Sequence, residues 1–222
     1  MEFNAAVVAG ATGMIGRYLI RVLIEDSFYD AIIALTRRPL AVEAQKLEQR
    51  CVDFDRLTAD DMVGATHLFC CLGTTMKAAG SREAFHRVDY EYCERFARLG
   101  RQAGAARMML LSSVGANSNS SSFYLRTKGE LETAVSALDF EALHIFRPSV
   151  LMGQRNEDRP GERVAAGFSR AFEFLLTGSL ARYRPMPAGV LAASMAAAGE
   201  RGEPGRHVHY YPQIVRLAGF AQ

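Results

Sequence analysis

Short, almost continuously apolar runs alternate with longer amphipathic segments over the first two thirds of the chain. Six of these runs predict strands: NAAVVAG, AIIALTRR, RCVDF, HLFCCLG, RMMLLSS and EALHIFRP. Strands of this kind suit a parallel sheet that is covered on both faces. The intervening segments predict helices at about residues 14–26, 81–103 and 123–138, and a short helix near 57–63. The alternation predicts an α/β fold, a doubly wound parallel sheet of the Rossmann type.

The pattern changes after Pro148. A polar loop at 153–163 precedes two predicted helices, at 164–176 and 186–200, and a short strand at 206–211. We expect residues 149–222 to form a small cap on the substrate side of the sheet. The whole chain, 1–222, is then a single domain, of a size that one hydrophobic core can support.

Composition narrows the function classes. Hydrophobic residues make up 49% of the 222 residues and charged residues 23%, as in globular proteins with a packed core. The net charge of +2 gives no reason to expect nucleic acid or an anionic membrane as a partner. No apolar run approaches the ~20 residues of a membrane span, and the first residues lack the layout of a signal peptide. These features predict a cytoplasmic protein.

Cysteine and histidine positions do not predict a metal site. The four cysteines, Cys51, Cys70, Cys71 and Cys93, lack a paired metal-ligand spacing, so we expect them to be reduced and structural. His207 and His209 would share one face of a strand, but no third ligand lies near them in the sequence.

The glycines of VVAGATGMIGRYL stand where the first strand passes into the first helix. In a parallel sheet this corner is a ligand site, because the helix N-terminus offers unpaired N–H groups to an anion. Gly10 would allow the tight turn, Gly13 would let the backbone approach a pyrophosphate, and Gly16 would let the helix pack closely. The spacing is G-x-x-G-x-x-G, one residue longer than the usual dinucleotide pattern. Glycines also serve plain turns, but this position favours a dinucleotide.

Arg37 and Arg38 end the second predicted strand, where the ribose of a bound cofactor would arrive. An acidic residue there selects NAD, whereas arginine accommodates the 2′-phosphate of NADP. We therefore favour NADP(H) over NAD(H), the alternative being two surface arginines that cap a strand. Asp53 can accept a hydrogen bond from the adenine amino group, or it is simply a strand-end or helix-capping aspartate.

Tyr124 and Lys128 are four residues apart on a predicted helix, so they project from the same face. A lysine cation near the phenol favours the phenolate and prepares Tyr124 for acid–base work. Ser113 ends the fifth strand near the same crevice, where it would hydrogen-bond a substrate oxygen. A Y-x-x-x-K pair is also a common exposed helix contact, and the glycine-rich turn upstream is what favours catalysis. The serine role is open between Ser112 and Ser113, and SVG favours Ser113.

GATGMIG, Ser113, YLRTK and FRPSVLMG together resemble the short-chain dehydrogenase/reductases. CCLGTT and the stretch from VDYEYC to LSSVGA are similar, more narrowly, to an atypical group of the NAD-dependent epimerase/dehydratase-like type that has bacterial members. The resemblance implies Ser113, Tyr124 and Lys128 as catalytic residues. It implies a cofactor-binding set of Gly10, Ala11, Thr12, Gly13, Met14, Ile15, Gly16, Arg37, Arg38, Asp53, Phe54, Leu72, Gly73, Thr74, Thr75, Tyr124, Lys128, Pro148, Ser149 and Val150. The short segment from Ser113 to Tyr124 departs from the family, so the substrate pocket is either shallow or completed by a partner.

Three functions fit these features. The first is an NADP(H)-dependent oxidoreductase acting on a small carbonyl or alcohol. The second is an NADPH-gated regulatory or binding protein with a protein partner, and the third is a nucleotide-binding fold with an inert tyrosine. The polar segment 117–122 lacks apolar residues, so we expect it to be mobile without ligand.

Overall fold

A computed structural model describes residues 3–153 and 176–219. In these ranges the strands are β1 (Ala5–Ala9), β2 (Ala31–Thr36), β3 (Leu47–Cys51), β4 (His67–Cys70), β5 (Arg107–Leu111), β6 (Ala142–Phe146), β7 (Leu151–Met152), β8 (Met186–Pro187) and β9 (Gly205–His209). The α-helices are α1 (Met14–Glu25), α2 (Met76–Ala79), α3 (Arg82–His86), α4 (Tyr92–Gln102), α5 (Phe123–Ser136), α6 (Ala188–Arg201) and α7 (Tyr211–Leu217). A π turn covers Arg87–Glu91, and 3-10 turns cover Ala59–Met62 and Gly178–Tyr183.

The main sheet has the strand order β3-β2-β1-β4-β5-β6-β9, and every neighbouring pair is parallel. Alternate residues of β1 serve opposite faces: Ala6 and Val8 pack under α1 and α6, whereas Val7 and Ala9 pack under α4 and α5. This double burial explains why the strand sequences are almost wholly apolar. The predicted doubly wound sheet is confirmed.

The third strand lies earlier than predicted, at Leu47–Cys51 instead of 50–54. It is an edge strand whose residues alternate between half-buried and exposed, so it lacks the apolar run that marks the others. After one more hydrogen bond, from the Val52 N–H to the Thr36 carbonyl (2.8 Å), the chain leaves the sheet, because Asp53 closes a turn: its carboxylate accepts from the Asp55 N–H (3.0 Å) and its carbonyl accepts from the Arg56 N–H (2.9 Å).

The long helix predicted over 81–103 is broken into three parts. Ser81 caps the start of α3 by accepting from the Ala84 N–H, and the π turn then separates α3 from α4. A π turn inserts one extra residue into the helical ladder and shifts the side chains that follow. Here it accommodates Asp89, a carboxylate that is only 1% exposed.

Much of the described C-terminal part of the chain completes the sheet and its helix layer, and the cap expected over 149–222 remains a prediction. Helix α6 packs on α1, and β9 joins the sheet beside β6 as its seventh strand. Of the described residues in the expected cap, only 149–153 and 176–187 lie outside these layers, with β7 paired to β8. The loop and helix predicted over 154–175 lie outside the described residues. No helix in the described ranges is long and apolar enough to cross a membrane.

Two buried histidines join β6 to β9. His144 Nδ1 and His209 Nε2 are 2.9 Å apart, and their rings are stacked. Burial, with the neighbouring His209, His207 and Arg107, lowers the pKa of His144 to about 3, and burial with His207 lowers that of His209 to about 4. The folded state therefore holds both imidazoles neutral at pH values where the unfolded chain protonates them.

We expect the free energy of unfolding to fall as the pH drops from about 6.5 to about 4, because the unfolded chain then binds more protons than the folded one. Each histidine contributes up to about 1.4 kcal/mol per pH unit in this window. Urea denaturation at several pH values measures the slope. A variant carrying both His144→Gln and His209→Gln should show a shallower slope, and equal slopes in the two proteins would contradict this assignment.

Candidate functional site

A cavity of about 620 Å³ opens at the carboxyl ends of β1, β4 and β5. This is where the strand order reverses, between β1 and β4, and open α/β sheets bind ligands at such points. Its walls are formed by Gly13, Met14, Ile15, Arg17, Cys71, Leu72, Gly73, Thr74, Thr75, Met76, Ala78, Asp89, Leu111, Ser112, Ser113, Tyr124, Lys128, Pro148, Ser149 and Leu151.

The turn from β1 to α1 depends on two glycines behind the cavity wall. Gly10 has φ +85°, and a Cβ there would lie 2.5 Å from the backbone carbon of Cys71. A Cβ on Gly16 would lie 2.2 Å from the Gly10 carbonyl oxygen. The turn and the first turn of α1 are therefore in direct backbone contact, and no side chain fits between them.

Gly13 begins α1 and faces the cavity. It is the N-cap residue, and no side chain caps the first N–H groups of the helix. A Cβ at this position would meet only the Gly10 carbonyl, 3.2 Å away, and the Cys71 carbonyl, 4.0 Å away. The uncapped N–H groups and the bare backbone thus suit an anion such as a pyrophosphate.

Tyr124 and Lys128 stand on one face of α5 and open on the same cavity. Tyr124 is half-buried and packs against the Phe85 ring, with the ring centroids 5.6 Å apart. Lys128 is only 4% exposed, and its Nζ lies 2.8 Å from Asp89 Oδ1. The second carboxylate oxygen of Asp89 accepts from the Thr74 N–H at 2.8 Å.

The charge of Lys128 is governed by its surroundings. Burial on its own would lower the pKa of Lys128, but the Asp89 carboxylate, with Cys93 and Tyr124, outweighs it and raises that pKa. Lys128 is therefore a cation whose charge Asp89 balances. Burial raises the pKa of the neighbouring Cys71 thiol to about 12, so this cavity-lining cysteine stays protonated and unreactive.

The two candidate serines have different surroundings. Ser112 is buried, and its hydroxyl donates to Glu132 Oε1 at 2.5 Å. Arg147 also donates to that carboxylate, so Ser112 belongs to a buried ionic cluster. Ser113 is half-buried at the cavity wall, and its hydroxyl makes only a long 3.4 Å contact with the Val114 carbonyl. Ser113 is thus the serine that has its hydroxyl available to a ligand.

The short segment between Ser113 and Tyr124 is folded back onto α5. The Asn117 N–H donates to the Leu125 carbonyl at 3.1 Å, and Arg126 donates to the Ser120 carbonyl at 2.9 Å. A Cβ on Gly129 would lie 2.2 Å from the Asn117 carbonyl carbon, so α5 packs directly on the loop. Hydrogen bonds thus hold segment 117–122 against α5, although the segment lacks apolar residues. Its mobility without ligand remains a prediction.

Most predicted site residues meet at the cavity. Those that line it are Gly13, Met14, Ile15, Leu72, Gly73, Thr74, Thr75, Ser113, Tyr124, Lys128, Pro148 and Ser149. Gly10, Ala11, Thr12 and Gly16 form the turn behind its wall.

The other five predicted cofactor residues lie neither in the wall nor in the turn behind it. Arg37 and Arg38 are exposed beyond the end of β2, and Asp53 closes its own turn. Phe54 is buried in the core, where its ring stacks on that of Tyr92. Val150 is 68% exposed, because its carbonyl accepts from the Met186 N–H and the side chain points outward.

Sequence reasoning missed several wall residues, of which Arg17 and Asp89 carry charge. Arg17 follows the third glycine directly and donates to the Thr12 carbonyl at 2.9 Å. Asp89 interrupts an apolar stripe, since Phe85, Cys93 and Phe96 are all buried on its helix face. A carboxylate within such a stripe was the available signal, because buried charges are normally paired. The described residues contain no group of three or more His, Cys, Asp or Glu placed to hold a metal ion.

A family model described as NAD(P)H-binding matches residues 10–164. The chain belongs to this NAD(P)H-binding family. Among curated proteins, it is 38% identical to protein HTATIP2 of Rattus norvegicus over 173 residues, which cover 76% of this chain and 71% of that protein. It is 32% identical to mitochondrial protein FMP52 of Debaryomyces hansenii over 160 residues, 70% of each chain.

The structure of this chain is also similar to solved structures of other proteins. MoeE5 in complex with UDP-glucose and NAD has a TM-score of 0.70 at 17% identity, covering 97% of this chain and 81% of MoeE5. UDP-N-acetylglucosamine 4-epimerase from Methanobrevibacter ruminantium has a TM-score of 0.72 at 15% identity, covering 99% and 81%. At these identities the likeness shows the fold, which is the Rossmann fold of epimerase/dehydratase-like proteins.

Proposed function

We propose that this protein is an NADP(H)-dependent oxidoreductase of the short-chain type, which transfers hydride between NADPH and a small carbonyl or alcohol. One observation carries the proposal: Ser113, Tyr124 and Lys128 open on the same cavity as the uncapped start of α1. The same cavity therefore contains groups that can transfer a proton and groups that can bind an anion. A reaction of a pyridine nucleotide requires both.

The residues of the wall divide the work as follows. The first N–H groups of α1 and the bare backbone at Gly13 bind the pyrophosphate, and Lys128 donates to the ribose next to the nicotinamide. The reduced nicotinamide supplies the hydride. Ser113 donates to the substrate carbonyl oxygen and orients it, and the Tyr124 hydroxyl gives that oxygen its proton. The apolar side chains of Met14, Leu111 and Leu151 line the same space and exclude water.

Turnover tests the proposal directly. The absorbance of NADPH is followed with a panel of aldehydes, ketones and quinones, and calorimetry measures NADPH binding in parallel. Consumption of NADPH that depends on a carbonyl compound supports the oxidoreductase. NADPH binding without turnover of any compound in the panel would contradict the oxidoreductase and would favour the second candidate described below.

The preference for NADP(H) is proposed from Arg37 and Arg38, which stand exposed where β2 ends and have no acidic neighbour in LTRRP. We expect Arg37→Ala/Arg38→Ala to weaken NADPH binding by at least about 10- to 100-fold, because losing even one charge-assisted hydrogen bond to the 2′-phosphate costs roughly 1.5–3 kcal/mol. NADH, which lacks the 2′-phosphate, should bind almost unchanged. Calorimetry with both nucleotides measures the difference, and equal losses would show that these arginines do not bind the phosphate.

An NADPH-gated binding protein is the second candidate, and the Asp89–Lys128 pair favours it. A lysine whose charge is balanced at 2.8 Å assists the phenolate of Tyr124 less than a lone cation would. In that case NADPH binding would order the cavity wall for a protein partner or a second copy of the chain. NADPH affinity without turnover, unaffected by Tyr124→Phe, would support it.

We propose the cytoplasm as the location. Cys51, Cys70, Cys71 and Cys93 are free thiols, which persist in reducing compartments. The relatives named mitochondrial make that organelle the alternative, and fractionation of cells distinguishes the two.

A further inference from the structure

Asp89 contacts two parts of the cavity wall that are far apart in the sequence. One carboxylate oxygen lies 2.8 Å from Lys128 Nζ on α5, and the other accepts from the Thr74 N–H in the loop after β4. We propose that Asp89 is a positioning residue, which holds Lys128 charged and fixed beside the loop that lines the nicotinamide half of the site. The effect of Asp89 on catalysis rests on the proposed function, whereas its effect on the charge and position of Lys128 does not.

The surroundings of Asp89 explain why it must be paired. Its side chain is 1% exposed, and Phe85 and Cys93, one helical turn to either side, are also buried. An unpaired carboxylate in such a place costs several kcal/mol, so the ion pair and the Thr74 N–H are required for it to stay ionised. The π turn at Arg87–Glu91 is the local distortion that places it there.

The loop backbone runs directly beside the pair. A Cβ on Gly73 would lie 3.4 Å from Asp89 Oδ1 and 3.8 Å from Lys128 Nζ. A methyl group at this position would be in van der Waals contact with both charged groups, whereas glycine leaves that space open. Because one carboxylate is bound to both α5 and the loop, displacement of either element disturbs the other.

Three groups set the charge of Lys128: Asp89 on the π turn, Cys93 on α4 and Tyr124 on its own helix. Of these groups, only Asp89 is an anion. The hydrogen bond with Cys70 and burial raise the pKa of the Cys93 thiol well above its ordinary value, so this thiol is neutral. Removing the carboxylate leaves burial as the dominant influence, and burial disfavours the ammonium form. An ammonium has three donors, so Lys128 can bind Asp89 and still reach a ribose hydroxyl.

The test titrates Lys128 itself in the Asp89→Asn variant. The chain has only three lysines, Lys46, Lys77 and Lys128, so ¹³C NMR of labelled lysine Cε groups resolves them, and Lys128→Arg assigns the signal. In the wild type, Lys128 should remain charged to a higher pH than the exposed Lys77. In Asp89→Asn it should titrate at least about one pH unit below Lys77, a tenfold change or more.

A matched control is Asp55→Asn. Asp55 is exposed and pairs with Arg87 of the same π turn at 2.7 Å, so its change also removes a carboxylate from this region. The Lys128 titration should be unaffected there. An Asp89→Asn protein in which Lys128 titrates as in the wild type would overturn the proposal. If that variant does not fold, a wild-type Lys128 that titrates at or below Lys77 would overturn it equally.

Kinetics then separate this inference from the proposed function. Asp89→Asn should acquire a new basic limb, with NADPH turnover falling about tenfold per pH unit above the lowered Lys128 pKa, while Asp55→Asn follows the wild type. If the wild type turns over no carbonyl compound, the proposed function fails and the NMR titration still decides the role of Asp89. If the wild type is active and Lys128 stays charged in Asp89→Asn, the inference fails and the function stands.

Discussion

Replacing Tyr124 by phenylalanine is expected to lower kcat for carbonyl reduction by about 10²–10⁴-fold, the usual contribution of a positioned proton donor. The hydroxyl is the group at the cavity wall that would protonate the substrate oxygen, whereas the ring, which packs on Phe85, is retained. NADPH affinity should change little, because the groups proposed to bind the phosphates lie at the start of α1. Steady-state kinetics and calorimetry on the same preparation measure the two effects.

Tyr92→Phe is the matched control for this change. The Tyr92 hydroxyl donates to Asp55 at 2.9 Å and its ring stacks on Phe54, away from the cavity. Its loss should leave kcat unaltered. Full turnover in Tyr124→Phe would exclude Tyr124 as the acid and would point to Ser113 as the proton donor.

Burial patterns explain which parts of the fold were predictable. Strands β1, β2, β4, β5 and β6 are covered on both faces, and such strands leave an apolar run in the sequence. Edge strand β3 is covered incompletely, so its position was predicted about three residues late. The sequence 206–211 predicted a strand, but its place beside β6 depends on distant contacts, such as the one between His144 and His209.

Some residues of the site could likewise be predicted from the sequence, and others could not. The glycine turn, Ser113 and Tyr124 were predictable because each follows or begins an element at the same edge of a parallel sheet, and that edge gathers them. Lys128 lines the cavity, but its partner was not foreseen: Asp89 lies 39 residues away in the sequence, and only the folded chain shows the 2.8 Å contact. Periodicity identifies which face a residue occupies and does not identify what it touches there.

A buried ionic cluster next to the cavity could not be inferred from the sequence either. Glu132 is 2% exposed, accepts from Ser112 and Arg147, and so joins the ends of β5 and β6 to α5. Arg147 also donates to the Tyr210 hydroxyl at 2.7 Å, which connects α7 to the same cluster. The residues that precede α7 are therefore joined to the site through this cluster.

Substitution of Gly10 by alanine is expected to lower the free energy of unfolding by about 2–5 kcal/mol and to abolish dinucleotide binding. The positive φ alone costs about 1–2 kcal/mol for an L-residue, and forcing a methyl group into a packed site costs about 1–3 kcal/mol more. At Gly10 the obstacle is backbone: the Cβ would lie 2.5 Å from the Cys71 carbonyl carbon and 2.7 Å from the Leu72 nitrogen. The turn can accept the methyl group only by moving away from the loop that lines the cavity.

Gly64→Ala is the control that separates the cost of the positive φ from the cost of a steric clash of the new methyl group. Gly64 has nearly the same φ, +83°, but nothing lies within 4 Å of the position its Cβ would take. Urea denaturation should therefore show only the backbone cost of about 1–2 kcal/mol in Gly64→Ala and the larger loss in Gly10→Ala. Equal losses would mean that the turn yields easily and that close backbone contact between the β1–α1 corner and the loop after β4 is not what shapes the anion site. A larger loss at Gly10, accompanied by lost NADPH affinity, would tie the stability of the corner to binding, because the same backbone contact then supports both.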